Sequence, residues 1–391
     1  MIGVDEAQAL CLALISPRPA TEEVPLIAAA GRVLARAAQT HRAQPPFESA
    51  AMDGYAIRAA DLHIGARLNV IGESAAGHGW DGIVGPGQAL RIFTGAPVPR
   101  GADHVVIQED VARDGDQITL QPNLGTGANI RPAGADFAAG FQLNAPRVLT
   151  PSDLALLAAM NVARVTVAVR PRVALLATGD ELVMPGQEPG RDQIIASNIF
   201  ALKAMVDAAG GEGIILPIAP DREDALEAAM ADMASADIAV TIGGASVGDY
   251  DLVGRVGESL GMKRPFYKIS MRPGKPLIAG ALGAVPYLGL PGNPVSAIVT
   301  GHLFLLPMVR RMLGLADALP KTVQARLTRD VGPTGPRTHF MRAHLDVGAV
   351  TPFERQDSSL LSVLSDANAL LVRPLGDRPR AVGEMVPVLP L

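Results

Sequence analysis

The fold is decided by three apolar runs in the second half of the chain, VALLATGDEL (173–182), IAVTIGGASVGDYD (238–251) and VPYLGLPGNP (285–294). Each run ends in a glycine-rich polar turn. Continuous apolar strands are typical of a parallel sheet covered on both faces, and ligands of such sheets bind at the carboxyl ends of the strands. Helix starts are predicted near Ser197, near Asp221 and at Pro294. The sequence therefore predicts a doubly wound α/β domain whose three turns share one site.

The patterns on either side of this domain are different. Helical spacing is present over 4–15 and again from Pro151, and an Ala-rich pattern predicts helix over 22–38. Between Pro45 and about residue 145, short β-like runs alternate with glycine turns, which indicates a β-rich piece inserted into a helical domain. Short β runs at the end of the chain predict a small barrel. The expected boundaries are 1–41 with 141–170 for the helical linker domain, 42–140 for the inserted β-rich domain, 171–316 for the central α/β domain and 317–391 for the C-terminal β barrel.

Composition excludes several classes of function. The chain has 391 residues and a net charge of -5, which argues against a general affinity for nucleic acid or for an anionic membrane. It begins MIGVDEAQAL, unlike a signal peptide, and has no apolar span of membrane-crossing length, so a cytoplasmic location is expected. Cys11 is the only cysteine, which excludes an internal disulfide and a thiolate metal cluster. Its place on an apolar helix face predicts an inert core residue.

Two of the turns carry groups that suit an oxyanion. GGASVGD (243–249) offers unshielded backbone N–H groups and the hydroxyl of Ser246, which together fit a phosphate. A tight crossover from strand to helix, which needs glycine only for a positive φ, explains the same residues. PGNPVSA (291–297) places Asn293 as the cap of a predicted helix and Ser296 in its first turn. Capping alone accounts for this second turn without a ligand.

Acidic side chains follow two of the predicted strands. Asp180 and Glu181 lie just past the first apolar run, where an acid can hold Mg²⁺ or act as a base. Asp221 follows Pro220 at a predicted helix start, where an N-cap is the simpler role. Mg²⁺ needs only one or two carboxylates, because water and substrate phosphate complete its octahedron. Two acids at one sheet edge would therefore suffice for a Mg²⁺ site.

Basic side chains are gathered in YKISMRPGKP (267–276), where Lys268, Arg272 and Lys275 surround a Pro-Gly turn. Ammonium and guanidinium groups suit an oxyanion, and the usual alternative is that such loop charges are simply solvated.

Earlier in the chain, Asp53-Gly54 would ordinarily form a hairpin turn.

Seven motifs, in order, give the chain a family resemblance: AAMDGYA, RIFTGAPVPRGADHVVIQED, NIRPAGADF, LLATGDEL, GGASVGD, RPGKP and LPGNPVSA. Together they resemble the molybdopterin molybdenumtransferase family, which includes bacterial MoeA and the E domain of gephyrin. The resemblance covers almost the whole chain, as far as ERQDSSLLSVLSDANALLVRP. It implies an elongated homodimer of four-domain subunits, with a central domain similar to the molybdopterin adenylyltransferases. The active-site cleft would lie between the central domain of one subunit and the inserted domain of its partner.

The implied reaction takes adenylylated molybdopterin and molybdate, cleaves the phosphoanhydride with the help of Mg²⁺, releases AMP and leaves molybdenum on the dithiolene. Molybdate and tungstate are alternatives as the natural oxyanion. The resemblance also implies two kinds of protein partner, the molybdopterin adenylyltransferase and the molybdoenzymes that accept the cofactor.

The resemblance also implies roles for individual residues. The catalytic carboxylates are Glu181, Asp221, Asp53 and Asp136, of which Glu181 and Asp221 bind Mg²⁺ and activate water. The substrate-binding residues are Thr94, Arg131, Thr178, Gly179, Asp180, Gly243, Gly244, Ser246, Gly248, Asp249, Lys268, Pro291, Gly292, Asn293 and Pro294. The molybdate pocket comprises Arg272, Lys275, Pro276, Ser296 and Arg337. The family has an Asp-Tyr pair after its SVG turn, and SVGDYD leaves Asp249 and Asp251 as alternatives for the matching acid.

Three other functions compete with this interpretation. The central domain alone would allow nucleotidyl transfer of the molybdopterin adenylyltransferase type. A gephyrin-like scaffold that binds peptides without catalysis would use the same architecture. An NAD-linked dehydrogenase is the generic alternative for an α/β sheet, but no strand here is followed by G-x-G-x-x-G.

Overall fold

The central sheet is the feature that positions the candidate site. The computed structural model describes residues 1–16, 20–244 and 252–391. The sheet has six strands, in the spatial order Glu212–Ile215, Arg172–Ala177, Ile238–Ile242, Val285–Leu290, Pro276–Leu282 and Lys263–Lys268. The first four strands are parallel and the last two are antiparallel to their neighbours. The prediction that the three apolar runs form parallel strands is confirmed, and the three strands are adjacent.

Helices cover both faces of this sheet, which explains the continuous apolar runs. Alternate residues of one strand enter separate cores: Leu175 packs in the same core as Leu202, and Leu176 packs in the same core as Leu226. The covering helices are Asn198–Ala208, Glu223–Asp232, Leu252–Ser259, Pro294–Thr300 and Leu306–Met312, with a π-helical segment at Gly301–Leu305. The predicted starts near 197, near 221 and at 294 are therefore confirmed.

The N-terminal region mixes helices and strands. Helices Val4–Ala13 and Pro151–Ala159 lie where helical spacing predicts them, and Cys11 is buried. The prediction of helix over 22–38 is wrong. Those residues form strand Thr21–Pro25, a 3-10 turn at Leu26–Ala28 and strand Val33–Leu34, which join Arg164–Ala168 and Arg147–Val148 in a four-stranded sheet. Alanine content is a weak preference that tertiary pairing overrides, and Pro25 lacks the amide that a helix would require.

The β-rich piece between these elements has its own six-stranded sheet. Its order is His104–Ile107, Gly54–Ile57, Gln88–Ile92, Arg67–Ser74, Gln117–Leu120 and Val111–Asp114. Two short antiparallel pairs accompany it, Ser49–Ala50 with Ile130–Arg131 and Ala38–Gln39 with Gln142–Leu143. The second pair brings the entering and leaving segments side by side, as an insertion requires.

The C-terminal sheet closes into a barrel. Its order is Met271–Arg272, Thr338–Asp346, Ala349–Pro352, Val323–Leu327, Met385–Pro390 and Ala369–Arg373, and Thr338–Asp346 also pairs with Ala369–Arg373. A short helix, Leu361–Ser365, lies outside the barrel strands. The edge strand Met271–Arg272 comes from the segment that follows the central strand Lys263–Lys268, so the Pro-Gly turn is held at the junction of the two sheets. Within the described residues, no helix has the length and apolar character needed to span a membrane.

Candidate active site

A cavity of 660 Å³ lies at the carboxyl ends of the central parallel strands. The last residues of three strands, Ala177, Ile242 and Leu290, are direct neighbours in the sheet register, so the turns that follow them begin side by side. The cavity is lined from these turns by Thr178, Gly179, Glu181, Gly243, Gly244, Pro291, Gly292, Asn293 and Pro294, and it is also lined by Asp221. The structure therefore brings the three predicted turns together around one space.

Close packing dictates the glycines of the second turn. Gly243 and Gly244 have φ values of +96° and +63°, and a Cβ on Gly244 would lie 2.3 Å from Cγ2 of Val253. The tight-crossover explanation thus accounts for these two glycines. Beside them, the Thr178 hydroxyl is buried and has no hydrogen-bond partner among the described residues, which leaves a polar group available to a ligand. The rest of the turn, with Ser246, Gly248, Asp249 and Asp251, lies outside the described residues.

Three carboxylates lie near one another at this edge of the sheet: Glu181 and Asp221 line the first cavity, and Asp180 does not. The backbone N–H of Asp221 donates a 3.1 Å hydrogen bond to Oδ1 of Asp180. Burial and the negative charges of Asp180 and Glu181 raise the pKa of Asp221. The next helix begins at Glu223 with Arg222 in the N-cap position, so the N-cap role considered for Asp221 is wrong. A Cβ on Gly179 would lie 2.3 Å from Oε2 of Glu181, so that carboxylate folds back over Gly179, whose φ of +144° favours glycine.

The helix that begins at Pro294 also departs from simple capping. Asn293 occupies the N-cap position, but its side chain makes no capping hydrogen bond. Instead, Asn293 lines the first cavity and a second one, and Ser296 in the first helical turn is 4% exposed and lines the second cavity. Capping therefore does not account for Asn293.

The second cavity, of 270 Å³, adjoins the first and shares Pro276 and Asn293 with it. It brings together every residue predicted for the molybdate pocket: Arg272, Lys275, Pro276, Ser296 and Arg337. Pro273 and Gly274 also line it, and its opposite wall is a barrel loop with Gln356, Asp357 and Ser358, which the sequence did not lead us to select. The available signal was QDSSLL, in the stretch that marks the C-terminal limit of the resemblance.

A half-buried imidazole lies next to Arg272 of the second cavity. His339 is paired with Arg272 in the sheet register. Burial and the nearby guanidinium groups, Arg272 foremost, lower the pKa of His339 to about 4, so the imidazole is neutral at physiological pH. The positive charge facing this cavity therefore comes from Arg272, Lys275 and Arg337.

The inserted sheet carries a separate group of predicted residues. Thr94 donates to Oδ1 of Asp53 from both its backbone N–H and its hydroxyl, each at 2.8 Å. These bonds, with a smaller contribution from the charge of Arg91, hold the pKa of Asp53 below its usual value. Asp53-Gly54 is not a hairpin turn, because Ser49–Ala50 and Gly54–Ile57 belong to different sheets. Arg131 and Asp136 line a further cavity of 520 Å³ beside the same sheet.

The predicted residues therefore fall into two spatial groups. The residues that line the first and second cavities all come from 177–359, whereas Asp53, Thr94, Arg131 and Asp136 lie in the inserted β-rich piece. Lys268 lines none of the three cavities described, and its carbonyl accepts a hydrogen bond from the N–H of Ile2. A cleft that uses both groups requires a second copy of the chain or a different arrangement of the domains.

These features define a multidomain α/β protein in which a glycine-lined cleft at the sheet edge adjoins a small cationic pocket. Three family profiles match the chain: MoeA N-terminal region (domain I and II) over residues 2–161, probable molybdopterin binding domain over 174–311, and MoeA C-terminal region (domain IV) over 324–391. The chain belongs to the MoeA family.

Relatives and solved structures agree with this assignment. The molybdopterin molybdenumtransferase of a Nostoc species is 38% identical over 387 residues, which covers 95% of this chain and 89% of the relative. The Haemophilus influenzae protein of the same name is 34% identical and covers 100% of this chain and 98% of its own. A crystal structure of the molybdopterin biosynthesis MoeA protein from Pyrococcus horikoshii has a TM-score of 0.87 at 30% identity and covers 100% of both chains.

Proposed function

We propose that this chain catalyses the insertion of molybdate into adenylylated molybdopterin with release of AMP. Its family and its named relatives make it an enzyme of the transferase type in molybdenum cofactor biosynthesis. The observation that carries the specific reaction is the contact of two unlike cavities, which share Pro276 and Asn293. A transfer between two ligands requires that both be held next to each other.

The first cavity is the proposed site for adenylylated molybdopterin. Its 660 Å³ is in the range of small-molecule sites, and its lining places Gly243 and Gly292 beside the Thr178 hydroxyl, which has no hydrogen-bond partner among the described residues. Asp221, whose pKa is raised, is suited to accept a proton from water, since a general base works best when its pKa approaches the working pH. The attacking water would then cleave the phosphoanhydride, with AMP as the leaving group.

The second cavity is the proposed site for molybdate. Arg272, Lys275 and Arg337 supply positive charge around a space of 270 Å³. Ser296, in helix Pro294–Thr300, also lines this space. Guanidinium groups offer paired donors that fit a tetrahedral oxyanion. The anion would thus be held at the wall that the two cavities share.

Mg²⁺ is the proposed metal of the first cavity. Within residues 1–16, 20–244 and 252–391, no group of three His, Cys, Asp or Glu side chains forms a metal cluster. Glu181 and Asp221 still offer hard carboxylate oxygens, and Mg²⁺ accepts one or two carboxylates together with water and substrate phosphates. When bound, the ion would neutralise charge on the phosphoanhydride.

We further propose that the active enzyme is a homodimer in which the partner's inserted domain completes the cleft. The separation of Asp53, Thr94, Arg131 and Asp136 from the two cavities supports this arrangement. The domain division 1–41 with 141–170, 42–140, 171–316 and 317–391 belongs to the same proposal. A single buried cysteine suits the reducing cytoplasm, where the chain would receive its substrate from an adenylyltransferase and deliver cofactor to molybdoenzymes.

The test is a reconstituted assay with purified protein, adenylylated molybdopterin and Mg²⁺. AMP should appear only when molybdate is added, and a Glu181→Gln variant should release little AMP under the same conditions. Release of AMP that ignores molybdate would instead indicate a hydrolase, and consumption of ATP in a parallel reaction with molybdopterin would indicate an adenylyltransferase. Tungstate in place of molybdate measures how far the second cavity discriminates between the two oxyanions.

A further inference from the structure

One loop of the barrel, residues 353–360, forms a wall of both cavities. Gln356, Asp357 and Ser358 line the second cavity, and Ser359 lines the first. The loop also contacts the central domain, because the carbonyl of Ser358 accepts a 3.0 Å hydrogen bond from the N–H of Val295. We call this segment the wall loop. Its position determines how closely the barrel approaches the start of helix Pro294–Thr300.

A buried arginine ties the two ends of the wall loop together. Arg342 lies in strand Thr338–Asp346 and is 1% exposed. Its Nη1 donates to the carbonyl of Leu360 at 3.1 Å, and its Nη2 donates to the carbonyl of Arg355 at 3.1 Å. The planar guanidinium therefore spans the loop with one rigid fork, which a lysine ammonium cannot reproduce.

Gln356 interlocks with the same arginine. The backbone N–H of Arg342 donates to Oε1 of Gln356 at 3.0 Å, and Nε2 of Gln356 donates back to the Arg342 carbonyl at 3.0 Å and to the Phe353 carbonyl at 2.8 Å. Both the donor and the acceptor of the side-chain amide are thus used. A carboxylate at this position would keep the acceptor and lose both donor contacts.

We propose that Arg342 and Gln356 are positioning residues for molybdate, which hold the wall loop in place as one side of the second cavity. This inference rests on the proposed function of that cavity. Arg342 does not line the cavity, so its effect is transmitted through the loop carbonyls and the contact between Ser358 and Val295. The wall loop contributes three residues to the second cavity and one to the first, so molybdate binding depends on it more than binding of the pterin substrate does.

The test compares Arg342→Lys with a matched variant, Arg373→Lys. Arg373 is also 1% exposed and lies in the neighbouring strand Ala369–Arg373, but its contacts are to Gly332, Asp377 and Arg378, away from the wall loop. In Arg342→Lys we expect the KM for molybdate to rise about tenfold, as for loss of a charge-assisted hydrogen bond, while the KM for adenylylated molybdopterin changes less than about twofold. Arg373→Lys should lower the Tm to a similar extent and leave both KM values near those of the wild type.

Two further measurements keep the inference separate from overall folding and from the proposed function. Amide hydrogen exchange at Val295 should become faster in Arg342→Lys and not in Arg373→Lys. Gln356→Leu, which removes the amide contacts and adds no charge to the cavity, should reproduce the molybdate effect if Arg342→Lys does not fold. Two results would overturn the inference even if wild-type AMP release requires molybdate. One is an equal rise of the molybdate KM in both arginine variants, and the other is no rise of that KM in Arg342→Lys. Loss of molybdate dependence in the wild type would instead refute the proposed function, and the positioning role with it.

Discussion

The backbone N–H of Asp221 donates a hydrogen bond to Oδ1 of Asp180, which keeps two carboxylates together at one edge of the central sheet. Burial and the negative charges of Asp180 and Glu181 disfavour a charged Asp221. Like charges held close together destabilise a fold unless a cation or a proton is shared between them. The arrangement therefore fits a binding site better than a purely structural role.

Replacement of Asp221 by Asn should abolish AMP release and make the protein more stable at neutral pH. The folded pKa of Asp221 is raised, so its contribution to stability is present below its unfolded pKa and is lost as the pH rises through the folded value. The Tm of Asp221→Asn should therefore exceed that of the wild type at pH 7 and approach it near pH 3. Thermal denaturation at both pH values measures this difference.

An acid on the helix that follows Asp221 provides the control for this prediction. Asp232→Asn, at the far end of helix Glu223–Asp232, should leave AMP release unchanged and should not reproduce the pH-dependent gain in Tm. Mg²⁺ should raise the Tm of the wild type more than that of Asp221→Asn, because a ligand stabilises the state that binds it. Equal stabilisation of the two proteins would remove Asp221 from the proposed metal site.

The central sheet could be predicted because apolar runs such as the one that contains Ile238–Ile242 are typical of strands covered on both faces, and all five of these residues are buried in the structure. The strands within 22–38 could not be predicted, because they form by pairing with the distant strand Arg164–Ala168. Local propensity contains no information about such a pairing. The first cavity could be predicted, because it is formed by the turns that follow adjacent strands. The wall loop could not be predicted, because the contact of Ser358 with Val295 joins segments that only the tertiary fold brings together.

Mixed dimers should distinguish a cleft shared between subunits from a cleft within one chain. Glu181→Gln and Asp53→Asn should each be inactive alone. In a 1:1 mixture with random pairing, half of the dimers are mixed and contain one intact site, so about a quarter of wild-type activity should return. The control is a mixture of Asp53→Asn with Asp136→Asn, where every site carries a lesion in the inserted domain. No recovery in the first mixture, after subunit exchange is verified, would contradict the shared cleft.

Asp357→Asn should strengthen molybdate binding. Hydrogen bonds from Ser359, with smaller contributions from Arg342 and Arg355, lower the pKa of Asp357, so this acid adds negative charge to an oxyanion pocket. An asparagine can still accept the bonds from the Ser359 N–H and hydroxyl through its amide oxygen. Because the charge is exposed to solvent, we expect a modest change, with the Kd for molybdate falling about threefold by calorimetry. Asp366→Asn, which lies outside the cavity lining, should leave the Kd unchanged, and weaker binding in Asp357→Asn would show that the carboxylate serves the anion.

Gly54→Ala should unfold the inserted sheet at lower denaturant concentration. A Cβ on Gly54 would lie 1.9 Å from the carbonyl oxygen of Val106, which is backbone of the adjacent strand and cannot rotate away. Overpacking of this kind costs about 3 kcal/mol. Gly115→Ala is the matched control, because that glycine has a φ of +59° and open space around it, so only about 1 kcal/mol of backbone strain is expected. Similar denaturation midpoints for the two variants would show that the strands can separate at little cost.

His302 should make the stability of the protein depend on pH between about 4 and 6.5. Burial, with a smaller contribution from the charge of Arg310, lowers the pKa of His302 to about 4, below its unfolded value. The unfolded chain therefore binds the proton more tightly, so stability falls as the pH drops below about 6.5 and this loss levels off below about 4. His302→Gln should make the Tm less dependent on pH across that window. The corresponding change in the free energy of unfolding is at most about 3 kcal/mol, and the Tm should change little above pH 7. The exposed His344, replaced in the same way, controls for the loss of an imidazole, and an unchanged slope in His302→Gln would mean that other groups set the acid sensitivity.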